Sequence, residues 1–399
     1  MMQETFSDLE HLSEKEIEEL IERYYNQERI KDLLKVYRLN IASGQLIRLF
    51  PPRVSDNICP YCNENMVKRF ASRSYNNYDN GDVICEACKH IHDSFGCRCH
   101  HCRNAERERV IKEREEKHQA IKVILDKMNE RRISSEELTL EEKIYLGALF
   151  RVGLSEDLSI INPVNSFYIP LAPTDNYSTE ILENLSSRNI IGISPESDVD
   201  AFDEVDFASN SFTYTTHGIK RTLLIDVNEG DKKSFFESLM NPTYELLPED
   251  AYDLWLKIAL NECLEYFYYS VRNVFGAEYN AGNKTLSVFT EMLKNLSVSQ
   301  VFCLIYRATN TALRFQVERG VYRKYAVNTI IGNAQNFAER ALNNNWSTTK
   351  YSRPRECPQS ALSKFFFDRV IKIGDDGFNM PPMRPSSPLD ELNDQMPNF

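Results

Sequence analysis

Cys59-Pro60-Tyr61-Cys62, Cys85-Glu86-Ala87-Cys88-Lys89-His90-Ile91-His92 and Cys97-Arg98-Cys99-His100-His101-Cys102 together hold seven of the chain's ten cysteines within 44 residues. Thiols grouped at two-residue intervals and mixed with histidines are the ligand chemistry of zinc, which takes four soft or borderline donors in a tetrahedron. A tight turn between paired cysteines presents two thiolates to one ion. The reading as a redox or disulfide set is the weaker one, because histidines converge on the same stretch and the reducing cytoplasm leaves thiols to metals. Cys263, Cys303 and Cys357 lie among apolar neighbours and read as small core residues.

Cys59, Cys62, Cys85 and Cys88 are expected to form one site, joined by a hairpin whose turn falls at Asn76, Asn77, Asp79, Asn80 and Gly81. Cys97, Cys99 and Cys102 supply three donors to a second, with His90 as the fourth, because it lies two residues past Cys88. His92, His100 and His101 are alternatives for that place. Interleaved pairing, with Cys59 and Cys62 joined to Cys99 and Cys102, stays open at this stage. Eight ligands for two Zn2+ ions leave no open position for water, so both ions are expected to be structural. The spacing of Cys59, Cys62, Cys85 and Cys88 resembles that of zinc ribbons. The resemblance covers residues 59–102 only.

Outward from the cluster, the chain reads as a mainly α, multidomain protein. Residues 1–52 are expected to be a helix-turn-helix-like unit, opening on Ser13 with Glu16 as capping-box partner. Residues 53–103 are the zinc-binding ribbon module, and residues 104–134 a charged connecting helix. Residues 135–240 read as a small winged-helix-like α+β unit. Its helices are expected over Leu140–Phe150 and Thr174–Arg188, and its strands at 190–193, 212–214 and 223–227. Residues 241–373 read as a helical domain and residues 374–399 as a flexible tail.

The formal net charge of the 399-residue chain is −12, which argues against a generic polyanion binder. The charge is uneven. Residues 303–373 carry twelve Lys and Arg against four acids, and residues 28–53 carry six against two, while residues 196–206 hold six carboxylates. Arg29, Lys31, Lys35, Arg38 and Arg48 in the first region, and Arg314, Arg319, Arg323, Lys324, Arg353 and Arg355 in the second, are the candidate phosphate contacts. Arg353 and Arg355 are expected in an exposed loop around Pro354. The competing reading pairs the second group with the acidic segment 196–206 of the same chain.

No run approaches the roughly 18 apolar residues that span a bilayer, and the polar, acidic start lacks the pattern of a secretory signal, so a cytoplasmic location without membrane contact is expected. Neither a Walker-type phosphate loop nor a nucleophile elbow is present. The leading reading is therefore a zinc-stabilised binding protein acting on DNA or RNA, as a regulator or as a recognition subunit of a larger complex. A protein–protein adaptor without nucleic-acid contact is the alternative. An enzyme, nuclease-like and built on scattered carboxylates, is third.

Overall fold

The computed structural model describes residues 9–73, 82–92, 96–206, 209, 211–228, 230–344 and 348–383. The chain divides into two compact units, Met1–Glu116 and Lys117–Phe399.

In the first unit, Ser13 caps α1 (Glu14–Tyr25) through a capping box with Glu16. Helices α2 (Ile30–Val36) and α3 (Leu46–Leu49) follow. Leu20, Tyr24, Leu33, Leu46 and Phe50 pack into one small core, with Phe70 against it. α3 is a single turn whose two leucines face inward. The described residues of the 1–52 segment thus hold helices of 12, seven and four residues, and nothing in them identifies the unit as a helix-turn-helix. The apolar spacing that suggested one serves internal packing. Next come β1 (Arg53–Ile58), β2 (Asn65–Lys68) and β3 (Val83–Ile84), an antiparallel sheet in the order β1-β2-β3. The expected turn at Asn76, Asn77, Asp79, Asn80 and Gly81 lies outside the described residues. α4 (His100–Met128) begins in the cysteine cluster and carries the chain into the second unit, the division falling within it.

In the second unit, Ile121 and Leu125 of α4 pack with Ile193, Val199, Phe202 and Ile219. β4 (Ile133–Ser134) leads to α5 (Leu140–Gly153), which Thr139 and Glu142 cap reciprocally. β5 (Ile160–Ile161), α6 (Asp175–Ser187) and β6 (Ile191–Ile193) come next, with Thr174 capping α6. β7 (Phe202–Asp206), β8 (Ser211–Tyr214), β9 (Arg221–Leu223) and β10 (Ile225–Asp226) complete the strands. Of the three strands expected to share one winged-helix sheet, those at 190–193 and 223–227 meet where Leu223 pairs with Ile191, while the one at 212–214 lies in a separate two-stranded sheet. β9 sits between β5 and β6, β8 pairs with β7, and β10 runs parallel to β4. The acids Asp203, Glu204 and Asp206 point outward from the β7–β8 hairpin.

The helices α7 (Lys232–Met240), α8 (Pro248–Phe275), α9 (Asn283–Leu293), α10 (Val298–Arg319), α11 (Arg323–Asn343) and α12 (Ala361–Phe365) complete the main body. A π-turn (Phe366–Val370) and α13 (Asp376–Asn379) follow. Residues expected to form separate units on either side of 240 share one hydrophobic core, from Ile133 to Phe367. Gly147 on α5 shows how closely the stretches meet: a Cβ there would lie 2.4 Å from the Phe365 ring and 2.7 Å from the Leu239 carbonyl. The start of the expected flexible tail is also packed. Trp255 Nε1 donates to Gly377 O at 3.1 Å, and the Phe378 ring meets Phe302 edge-on. Residues 384–399 lie outside the described residues.

α8 carries a carboxyl that the core treats as neutral. Burial pushes Glu265 up to about 8 from the ordinary 4.5, and its Oε2 has no hydrogen-bond partner among the described residues. The folded state therefore keeps a proton that the unfolded chain releases, so stability falls as pH rises from about 4.5 to about 8. Glu265→Gln is expected to melt above the native protein by a margin that widens across this window. Thermal melts at stepped pH check it. A margin independent of pH would contradict the assignment.

Candidate metal centre

Two turns of the same design hold the first group. After β1, the amide of Asn63 donates to the Cys59 carbonyl at 3.0 Å, and the Cys59 amide donates to Glu64 O at 2.9 Å. After β3, the Lys89 amide donates to Cys85 O at 2.8 Å, and the Cys85 amide donates to His90 O at 2.8 Å. Asn63 and Lys89 occupy equivalent left-handed positions, with φ of +54° and +59°. That conformation reverses the chain directly after each second cysteine, so both thiols of a pair face the same point. Antiparallel pairing of β2 with β1 and β3 brings the two turns together. Cys62 Sγ lies 3.4 Å from Cys59 Sγ and 3.3 Å from Cys85 Sγ, and Cys59 Sγ lies 3.6 Å from Cys88 Sγ.

The second group forms where the chain enters α4. His90 Nδ1 lies 3.5 Å from Cys97 Sγ, 3.8 Å from Cys99 Sγ and 3.3 Å from Cys102 Sγ. Cys99 precedes α4, and its sulfur accepts the Cys102 amide at 3.4 Å, so it caps the helix at its positive end. Cys97 Sγ accepts the Ile91 amide at 3.3 Å.

Each group brings four donor atoms within 4.8 Å of one another, and each could hold a metal ion. A tetrahedral ion with sulfur at about 2.3 Å and nitrogen at about 2.0 Å sets donors roughly 3.5–3.8 Å apart. The observed separations sit close to that range. All ten cysteines are free thiols.

The surroundings favour ionised sulfur at one cysteine of each group. Burial raises the Cys59 thiol, but amide hydrogen bonds from Tyr61 and Cys62 and thiol contacts from Cys62 and Cys88 outweigh it and bring it down to about 7. For Cys97, burial is likewise outweighed, by the Cys99 and Ile91 amides, bringing it down to about 6. The hydrogen bonds of Cys62 to Cys85 and Cys59 push its thiol up. Burial together with the neighbouring thiols pushes Cys102 up to about 11. An incoming cation displaces these remaining protons.

The ligand partition left open by spacing is resolved in geometry. Cys59 and Cys62 face Cys85 and Cys88, and His90 faces Cys97, Cys99 and Cys102. His101 instead stacks on Tyr61, with ring centroids 4.8 Å apart and planes 6° apart, and His100 Nε2 meets Asn104 Nδ2 at 3.3 Å. Nothing in the sequence singled out Tyr61. It sits inside the first Cys-x-x-Cys turn, meets the His90 ring edge-on at 5.0 Å and brings its hydroxyl to 3.7 Å from Cys102 Sγ. His90 closes the link from the other side: its carbonyl completes the Cys85 turn while its ring faces the second group.

Tyr61→Ala is therefore expected to lower metal affinity at the second group, built on His90, by about 10–100-fold and leave the first, all-cysteine group unchanged, as loss of a supporting outer-shell contact does. Tyr61→Phe isolates the hydroxyl's share. Cobalt titration with optical detection distinguishes the two donor sets. Equal losses at both groups, or none, would refute the link.

The candidate phosphate contacts have different fates. Arg29, Lys31, Lys35, Arg38 and Arg48 lie among the first unit's helices and turns and are all exposed, as are Arg314, Arg319, Arg323, Lys324 and Arg355 in the second unit. Arg353 is not an exposed cation. Its Nη2 lies 2.6 Å from Oε1 of the fully buried Glu262, and its guanidinium lies over the Phe378 ring. Among the described residues, Arg314, Arg319 and Lys324 form no ion pair, with the acidic segment or elsewhere, and Arg323 donates only to the Gly276 carbonyl.

No family model, no curated protein and no solved structure matches this chain. Fold and site define a mainly helical protein with two Cys/His groups able to hold metal ions, the first compatible with a zinc ribbon. No described helix is long and apolar enough to cross a membrane.

Proposed function

We propose that this is a zinc-stabilised nucleic-acid-binding protein, with two structural Zn2+ ions and a basic contact surface in the second unit. The donor sets support zinc: four sulfurs in one group, three sulfurs and an imidazole nitrogen in the other, with no water position among the four. The nucleic-acid reading rests on one observation. In a chain of net charge −12, Arg319, Arg323 and Lys324 are exposed and carry no ion pair among the described residues. Cations left unpaired in an acidic protein are available to phosphate, and their release of counterions makes binding fall with salt.

Elemental analysis is expected to find two zinc ions per chain. A mobility shift on mixed DNA and RNA should weaken steeply as salt rises. Absence of binding at low salt would refute the nucleic-acid part, and one zinc or none would refute the metal part. A protein-adaptor reading is favoured by Val54 and Ile58, which β1 leaves 76% and 61% exposed.

A further inference from the structure

Where α10 turns into α11, the second unit gathers cations and exposed tyrosines, with Arg323 Nη1 donating to the Gly276 carbonyl at 3.2 Å. α10 stops at Gly320, which takes a left-handed φ of +61°, and α11 begins after Tyr322. α5, α6 and α10 start on a Ser or Thr whose side chain caps the helix, whereas α7, α8 and α9 have no such cap. α11 starts on Tyr322, with no side-chain cap bond. It thus forgoes the stabilisation a Ser or Asp would bring, and no capping side chain accepts from the amides of Arg323 and Lys324.

Its first turn then carries Arg323 and Lys324 and no acid. Cations at the positive end of a 21-residue helix repel its dipole, whereas an anion there is attracted by amides, dipole and side chains together. Arg319 in the last turn of α10 adds a third positive charge across the short connection. The aromatic side chains at this end also face water. Tyr322 is 90% exposed and Tyr325 58% exposed, with Tyr325 tilted against Phe315 at 5.9 Å.

Resting on the nucleic-acid reading above, we propose that the α10–α11 turn is a single-strand platform, on which Tyr322 and Tyr325 stack with bases while Arg319, Arg323, Lys324 and the uncapped amides of α11 hold phosphates. The choice of a single strand follows from the tyrosines. A ring projecting from a turn can stack only on a base whose face is free, and paired bases in a duplex hide theirs. Stacking accepts any base, so the platform takes RNA or DNA with little sequence preference.

The test uses the zinc-loaded full chain and fluorescence anisotropy with oligo-dT, oligo-rU and a duplex of equal length, across a salt series. Native protein is expected to prefer the single strands. Tyr322→Leu with Tyr325→Leu should weaken single-strand binding roughly tenfold or more with the salt slope preserved. Tyr322→Leu alone, at a position with almost no contacts to lose, keeps the result independent of folding. Arg323→Glu with Lys324→Glu should weaken every nucleic acid and flatten the salt slope by about two.

Equal or tighter duplex binding, or single-strand binding unmoved by the tyrosine changes, overturns the platform while the wider reading stands. Binding unmoved by the charge reversal places any contact elsewhere and also overturns the platform. A native protein that binds none of the three probes overturns both.

Discussion

Removing the metal is expected to unfold residues 53–103 and leave the helical core of the second unit folded. The ribbon has almost nothing else to hold it. Its buried cluster consists of Cys59, Met66 and Cys85, and two of those three belong to the first candidate donor group. Burying one methionine contributes about 1.5–3 kcal/mol, whereas structural zinc supplies about 10–16 kcal/mol of apparent binding energy at neutral pH. Lys89 adds the strain of a left-handed side-chain-bearing residue, set against the backbone hydrogen bonds of its turn. Without metal, the Cys62 and Cys102 thiols take up protons and the reason for the turns to face each other is gone.

Hydrogen exchange after chelation is the direct measurement. The amides of Cys59, Asn63, Cys85 and Lys89, all bonded within the turns, should lose protection. Those of α8 and α10 should keep it, because their core contains no metal donor. Slow exchange across residues 53–73 and 82–92 after complete metal removal would show that the ribbon stands by its own packing. Acid should act in the same direction as chelation, since protons compete with the metal for thiolate and imidazole.

Arg353→Met is expected to destabilise the second unit by about 3–5 kcal/mol. Glu262 has no exposed side-chain surface, and its Oε1 receives Arg353 Nη2 at 2.6 Å and Ser363 Oγ at 2.7 Å. The hydrogen bond from Ser363 cannot neutralise the charge. Without the guanidinium, a carboxylate stays sealed in the core beside Glu265, whose carboxyl burial already raises.

The pair itself is not an efficient source of stability, because Glu262 Oε2 and Arg353 Nη1 are both buried without partners among the described residues. The second arm follows from that. Glu262→Gln combined with Arg353→Met should recover most of the loss, since removing both charges removes the desolvation penalty with the attraction. Denaturant unfolding of the two variants checks both statements. If the double variant is as unstable as Arg353→Met alone, the damage comes from lost packing over Phe378 rather than from the stranded charge.

What was legible in the sequence was local. Helix starts follow from side chains three residues apart, so the capping box at Ser13 and Glu16 and the cap at Thr174 appear where short-range hydrogen bonding puts them. The eight Cys and His donors stand out for the same reason, because each pair spans a single turn. Long-range arrangement was not legible. Spacing allowed Cys59 and Cys62 to join either Cys85 and Cys88 or Cys99 and Cys102, and the antiparallel register of β2 against β3 settled it. Tyr61 carried no signal in the sequence, because its contacts with His90, His101 and Cys102 exist only once the two groups lie side by side.

Composition marked Arg353 as one more exposed arginine. Only the packing of residues 353–378 against α8 turned it inward to Glu262. The apolar runs on either side of residue 240 looked self-sufficient, yet neither closes a core alone, and they bury each other. The strands at 191–193, 211–214 and 225–226 were readable as strands but not as partners, because hydrogen-bond pairing across tens of residues leaves no periodic trace in the chain. Local chemistry is written in residue types and intervals of three or four. Which distant groups meet depends on the burial of whole faces, and that is decided only when the chain closes on itself.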